Sequence, residues 1–233
     1  MVAKRDKDQI KDDPPLIFHK AEQRKPAYLE KMEAGFKRYR ESLAPSFRVL
    51  FDRYQLRDFA LKVVGVGSVG TYCEAALFTD DLEEPLFLQL KEARASVLEP
   101  YAGKSEFACH GERVVVGQRL MQAASDIFLG WTVEPESGRH FYVRQLRDMK
   151  VPMPVDTSDP TELAYFAEVC GWALSRAHAR SGDRAMIAGY LGSSDAFDDA
   201  IVKFAADYAD QSERDHAALL KAIKQGRIKA EDA

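Results

Sequence analysis

The period at which apolar residues recur changes along this chain, and the changes divide it. Residues 1–26 are polar, with breakers at Asp12-Asp13-Pro14-Pro15 and Lys25-Pro26, and read as a loosely ordered arm. Over 27–43, Tyr28, Leu29, Met32, Phe36, Tyr39 and Leu43 recur at spacings of three and four between charges, which predicts a helix. Phe47, Leu50 and Phe51 predict a short second helix over 46–54. The pattern then turns to apolar runs typical of strands at 59–64, 71–78 and 85–91, the last two separated by the turn-prone Thr79-Asp80-Asp81. A polar link at 100–104 precedes a helix over roughly 105–123, which carries Phe107, Val114, Val115, Leu120 and Met121. Residues 127–132 and 139–146 predict two further strands, paired across a turn at 134–138.

Val151-Pro152-Met153-Pro154 interrupts both periods and sets a domain boundary. Beyond it the helical spacing returns. Asp159 is placed to cap a helix that begins at Pro160. Leu163, Phe166, Cys170, Ala173, Leu174 and Ala177 carry one face to His178. A last helix follows Ser194-Asp195 with Phe197, Ile201, Phe204 and Tyr208. The expected class is α+β, with an antiparallel sheet and one helix followed by a helical C-terminal part. The expected domains are a polar arm (1–26), two leading helices with a β-rich lobe (27–150), and a helical part (151–233).

Composition narrows the function classes. The chain has 233 residues, 46% hydrophobic and 30% charged, enough to bury a sizeable core. Its net charge of -4 gives no basic field to draw nucleic acid or an anionic membrane, so neither is expected as a partner. The N-terminus lacks the apolar core of a signal peptide, and no apolar run is long enough to span a bilayer. Cys73, Cys109 and Cys170 are scattered and make neither a metal spacing nor a disulfide framework, so a reducing cytoplasm is the default.

The candidate chemistry lies between the first two strands. Gly65-Val66-Gly67-Ser68-Val69-Gly70 has the G-x-G-x-x-G form. Were it to open a helix, it would suggest a dinucleotide-binding unit. Between two strands it has the arrangement of the loop that covers ATP phosphates in protein kinases. Glycines there let backbone N–H groups approach phosphate without a side-chain clash. A glycine-rich hairpin turn explains the pattern equally without a ligand; the flanking strands and Lys91, ending the third strand, tip the reading towards phosphate. In a kinase-like lobe such a lysine contacts the α- and β-phosphates and is oriented by a glutamate on the next helix. Glu112 is the candidate, with Glu106 a turn or two earlier. The alternative is an ordinary strand-end lysine.

Gln145 and Leu146 end the last strand, in Arg144-Gln145-Leu146-Arg147-Asp148, where a kinase hinge presents backbone groups to adenine; a plain strand exit has equal weight. The catalytic half of a kinase has no counterpart. His178 is followed by Arg180 where the catalytic loop needs aspartate, the chain contains no asparagine, and a DFG triplet is absent. No catalytic residue is therefore assigned, and His178 reads as a helix-end residue near free carbonyls.

Residues 62–71 (KVVGVGSVGT), 86–100 (LFLQLKEARASVLEP), 117–131 (GQRLMQAASDIFLGW), 141–150 (FYVRQLRDMK) and 171–183 (GWALSRAHARSGD) resemble DUF2252, a bacterial family of unknown function. The Tyr208-Ala209-Asp210-Gln211 segment resembles it too, and the likeness runs from about residue 12 to 228. It implies a relation to the protein-kinase-like and aminoglycoside-phosphotransferase-like fold. It also implies a chain lacking an N-terminal Gly-Asp-x-His-x-x-Asn-Phe-Gly segment that longer members carry as their catalytic loop. The roles it carries over rest on Gly65, Gly67, Gly70, Lys91 and Glu112. Relatives place a glutamate where this chain has Val116, which leaves the lysine's ion-pair partner open. The expected function is a nucleotide-binding lobe, taking ATP with Mg²⁺ at Gly65, Gly67, Ser68, Val69, Gly70, Lys91, Glu112, Gln145 and Leu146. The alternatives are half of a small-molecule phosphotransferase completed in trans, or a protein-interaction module that binds a partner or self-associates through its helical part.

Overall fold

A computed structural model of the chain describes residues 5–6, 9–65, 69–146 and 153–230. They fall into two compact units, residues 1–177 and 178–233. In the first unit a short antiparallel pair, β1 (Arg5–Asp6) and β2 (Gln9–Ile10), precedes β3 (Ile17–Phe18). Helices α1 (Pro26–Ser42) and α2 (Pro45–Phe51) follow, each opened by a proline whose fixed φ suits a first turn. Next come β4 (Gln55–Lys62), β5 (Cys73–Thr79), β6 (Pro85–Ala93), the single turn α3 (Glu99–Ala102), α4 (His110–Met121), β7 (Gly130–Val133) and β8 (His140–Gln145). The six strands β3 to β8 form one sheet in the order β3-β4-β5-β6-β8-β7, and every neighbouring pair is antiparallel. The fold is thus α+β, and β7 and β8 pair across the expected turn.

Strand alternation separates two faces. Leu86, Leu88 and Leu90 of β6 point with Ala76, Phe78, Phe141 and Val143 into one core, covered by Phe36 and Tyr39 of α1, Leu43 just after it and Phe51 of α2. The rings pack edge to face, with Phe36 and Phe78 centroids 4.9 Å apart. The buried Tyr39 hydroxyl donates to the Phe128 carbonyl at 2.6 Å. On the opposite face Ala60, Ala75 and Leu77 meet Ile10 and Ile17, flanked by Phe87 and Leu146. Strand β5, covered on both faces, is buried along its whole length. That is why its sequence reads as one apolar run without alternation.

Ile10 and Ile17 belong to the stretch expected as a loose arm, yet they are 2% and 4% exposed. Asp58 anchors them, at a bulge in β4. Its carboxylate accepts from the Ile10 N–H at 2.7 Å and meets His19 Nε2 at 2.9 Å. His19 Nδ1 meets Asp12 at 2.5 Å, and Arg24 donates to Asp12 at 2.6 Å. Burial raises the Asp12 pKa, but the His19 bonds and the Arg24 charge outweigh it and hold the carboxyl below its ordinary range. This chain of polar contacts joins residues far apart in sequence, so local composition gives no sign of it.

Helix α4 starts at His110, five residues later than the apolar period predicts. The Ser105 hydroxyl accepts from the Phe107 N–H at 3.2 Å, a local turn that competes with helix. Gly111 lets α4 lie against β8, since a Cβ there would press into the Phe141 carbonyl oxygen. Helix α5 (Pro160–Ser181) has the expected start: Asp159 accepts from the Thr161 and Glu162 N–H groups, and the Glu162 carboxylate accepts from the Asp159 N–H.

The second unit contains α6 (Arg184–Leu191), capped by Asp183, and α7 (Ala196–Lys224). Helix α6 was not foreseen, because Gly182 and Gly192 bound it too closely for a periodic signal to build. The stacked rings of Phe204 and Tyr208 on α7 are exposed. Val151 and Pro152, half of the expected boundary, lie outside the described residues. Among the described residues no helix is long and apolar enough to cross a membrane.

Candidate functional site

The register of the sheet fixes where Lys91 stands. Cys73 pairs with Lys91 on β6, and Lys91 in turn pairs with Tyr142 on β8. Lys91 therefore lies beside the first residue of the strand that leaves the glycine segment. Alternation puts Lys91 and Gln89 on the face away from α1. There the Gln89 carbonyl accepts from Arg144 Nε and the terminal nitrogen at 3.2 and 3.1 Å, while its amide donates to Cys73 Sγ at 3.5 Å. Burial pushes the Cys73 thiol up to about 11, against the opposing charges of Lys91 and Lys62. Burial also raises the Tyr142 hydroxyl, with the Arg144 charge opposing it. Lys62, Lys91 and Arg144 bring positive charge near Cys73 and Tyr142, with the Glu74 carboxylate also acting on Cys73.

The base of the glycine segment is held by residues the sequence reading passed over. The Glu92 carboxylate accepts from the Tyr72 N–H at 2.8 Å, and Arg94 bonds Glu92 at 2.9 Å while donating to the Gly70 carbonyl at 2.5 Å. The Arg94 hydrogen bond keeps the Glu92 carboxyl below its ordinary range, overcoming the effect of burial. The Glu-Ala-Arg spacing after Lys91 puts both side chains on one side of the strand, and that spacing was the available signal. Gly70 adopts φ of 78°, the left-handed turn that favours glycine. Gly65 has open space where a Cβ would stand, and Val69 is exposed. Gly67 and Ser68 lie outside the described residues.

The other expected residues occupy distinct positions. Glu112 sits half-buried in the first turn of α4, a helix that contacts β6, β7 and β8. At the strand exit, the Gln145 N–H donates to Asp126 at 2.5 Å and the Leu146 N–H to the Phe87 carbonyl at 2.8 Å. Both hinge-position N–H groups are therefore engaged within the fold, and Leu146 packs with Ile10, Ile17 and Leu77. Arg147 and Asp148 lie outside the described residues. His178 is in the last turn of α5, where its carbonyl accepts from the Gly182 N–H at 2.8 Å.

Over residues 1–222 the chain matches the model of a family described as an uncharacterized protein conserved in bacteria (DUF2252). No curated protein and no solved structure matches it.

Proposed function

The chain belongs to the DUF2252 family, and we propose that its sheet is a kinase-like nucleotide-binding lobe that holds the phosphates of ATP and is catalytically incomplete by itself. The observation that carries this reading is the pairing of Cys73 with Lys91, which sets a lysine of the third long strand beside the exit of the glycine turn. A hairpin bearing the turn, a lysine on the adjoining strand and a helix after that strand are the parts a kinase uses to grip phosphates. Gly65, Gly67, Ser68, Val69 and Gly70 would offer backbone N–H groups, Lys91 would pair with the α- and β-phosphates, and Glu112 would approach from α4. Gln145 and Leu146 would meet the base with side-chain surface, since their N–H groups are engaged.

Mg²⁺ would arrive held by the nucleotide's own phosphates: among the described residues no group of three His, Cys, Asp or Glu stands together for a metal. The chain has no asparagine for the metal position of a kinase catalytic loop. Binding without transfer is therefore the expected behaviour. Titration calorimetry of the full chain with Mg²⁺-ATP tests it. Binding is expected, with Lys91→Ala weakening it at least tenfold, about 1.4 kcal/mol. Equal affinity in the variant would remove Lys91 from the site.

A second reading, a module that self-associates, is favoured by the exposed Phe204 and Tyr208 on α7 and the exposed Trp172 on α5. Sedimentation at micromolar concentration checks it. A dimer that Phe204→Glu returns to monomer supports it, and a wild-type monomer removes it.

A further inference from the structure

On the opposite side of the sheet from Lys91, α1 and the β7–β8 turn roof a cavity of about 230 Å³. That is room for several waters or for one small organic molecule, since a water's share of liquid is about 30 Å³. Its floor is Glu74 of β5, 2% exposed. The Tyr28 hydroxyl and the Gln23 amide both donate to Glu74 Oε1, at 2.6 and 2.8 Å, and Tyr72 adds a third hydrogen bond. All three donors are neutral. Burial raises the Glu74 pKa, and the leading charge acting on it is another carboxylate, Glu134.

The walls carry more negative than positive charge. Four carboxylates line the cavity, Glu22, Glu74, Glu134 and Glu136, against two cations, Lys31 and Arg139. Lys31 is engaged by Glu134 at 2.9 Å and Glu136 at 2.6 Å, a clasp that ties α1 to the β7–β8 turn. Arg139 lies over the Tyr72 ring at 5.1 Å, and Lys20 over the same ring at 5.5 Å. Tyr28, Met32, Phe36, Leu90 and Phe141 add aromatic and aliphatic surface, with the hydroxyls of Thr132 and Ser137 among them. An anion is opposed by the carboxylates. A bare metal ion would need several oxygens about one point, and among the described residues no such group exists. A buried carboxylate with neutral donors, beside aromatic faces, matches an organic cation.

We propose that this cavity binds a small organic ammonium ion, its charge facing Glu74 and its carbon body lying among Tyr28, Phe36 and Phe141. The site is separate from the phosphate-binding face and does not depend on it.

The test is calorimetric titration of the full chain with choline, with n-butylammonium, and with 3,3-dimethylbutan-1-ol, the neutral carbon isostere of choline. Ligand is carried to about 10 mM, tenfold above a Kd of about 1 mM. At least one ammonium is expected to bind, with the neutral isostere at least tenfold weaker than choline where choline binds. Glu74→Gln is expected to lose at least tenfold in affinity with its circular dichroism unchanged, while Lys91→Ala keeps the ammonium affinity. Absence of binding by both ammonium ions overturns the proposal. So does equal binding of choline and its isostere, or full affinity in Glu74→Gln. Should Glu74→Gln fail to fold, Glu134→Gln takes its place: weaker binding is expected there, and unchanged affinity overturns the role of the acidic wall.

Discussion

At Glu74 the fold keeps a carboxylate under α1 and answers it with hydroxyls and an amide. Burial favours the protonated form, so the folded pKa stands above the ordinary 4.5. A carboxyl raised in this way contributes stability that is fully present below its unfolded pKa and is lost as pH rises through the folded value. Glu74→Gln removes that loss. The variant is therefore expected to match wild type in urea unfolding near pH 4 and to exceed it near pH 7; a deficit at pH 7 would contradict the assignment. Asp12 has the opposite sign, since its lowered pKa gives stability above the ordinary carboxylate range that is lost as pH falls through the folded value. Neither role was legible in the sequence. Glu74 sits inside Thr71-Tyr72-Cys73-Glu74-Ala75-Ala76, where apolar neighbours on both sides hide which face it takes. Lys91 stands out in the sequence because it closes the apolar run 85–91, although β6 continues to Ala93; Arg94 does not, because its partner is the Gly70 carbonyl, 24 residues back.

The strands and helices of the first unit followed their apolar periods closely where those periods were long. Helix α1 stands where the sequence put it, and β7 and β8 pair across the expected turn, although β7 starts at Gly130 rather than at Ile127. Strand β4 begins four residues ahead of its expected start, because Gln55 and Leu56 pair with Thr79 and Phe78 across a bulge that breaks the alternation. Strands β2 and β3 are two residues each, too short to leave a periodic trace, and depend on Asp58 and on partners in β4. The contact between α4 and β8 likewise rests on Gly111, where a Cβ would meet the Phe141 backbone. Gly111→Val is expected to destabilise the protein by about 1–3 kcal/mol through overpacking, with the loss read by urea unfolding. A cost near zero would mean that α4 is not seated by this glycine.

For the whole molecule, the family and the α+β class were within reach of the sequence: its motifs are long, and its sheet and helices differ in period. The reach of the helical part was less legible. An exposed and a buried helix can share the same apolar spacing, and only the surroundings of Phe204 and Tyr208 separate them. The central claim concerns the sheet face that carries Lys91, with Lys62 and Arg144 near the Cys73–Gln89 contact, and the adjoining glycine turn, held by Glu92 and Arg94. Backbone hydrogen exchange of the full chain with and without Mg²⁺-ATP tests it most directly. The account predicts slower exchange in peptides covering residues 70–73 and 89–92, with no change in α7. Unchanged exchange in both peptides at saturating nucleotide, or protection confined to the α1 side of the sheet, would contradict it.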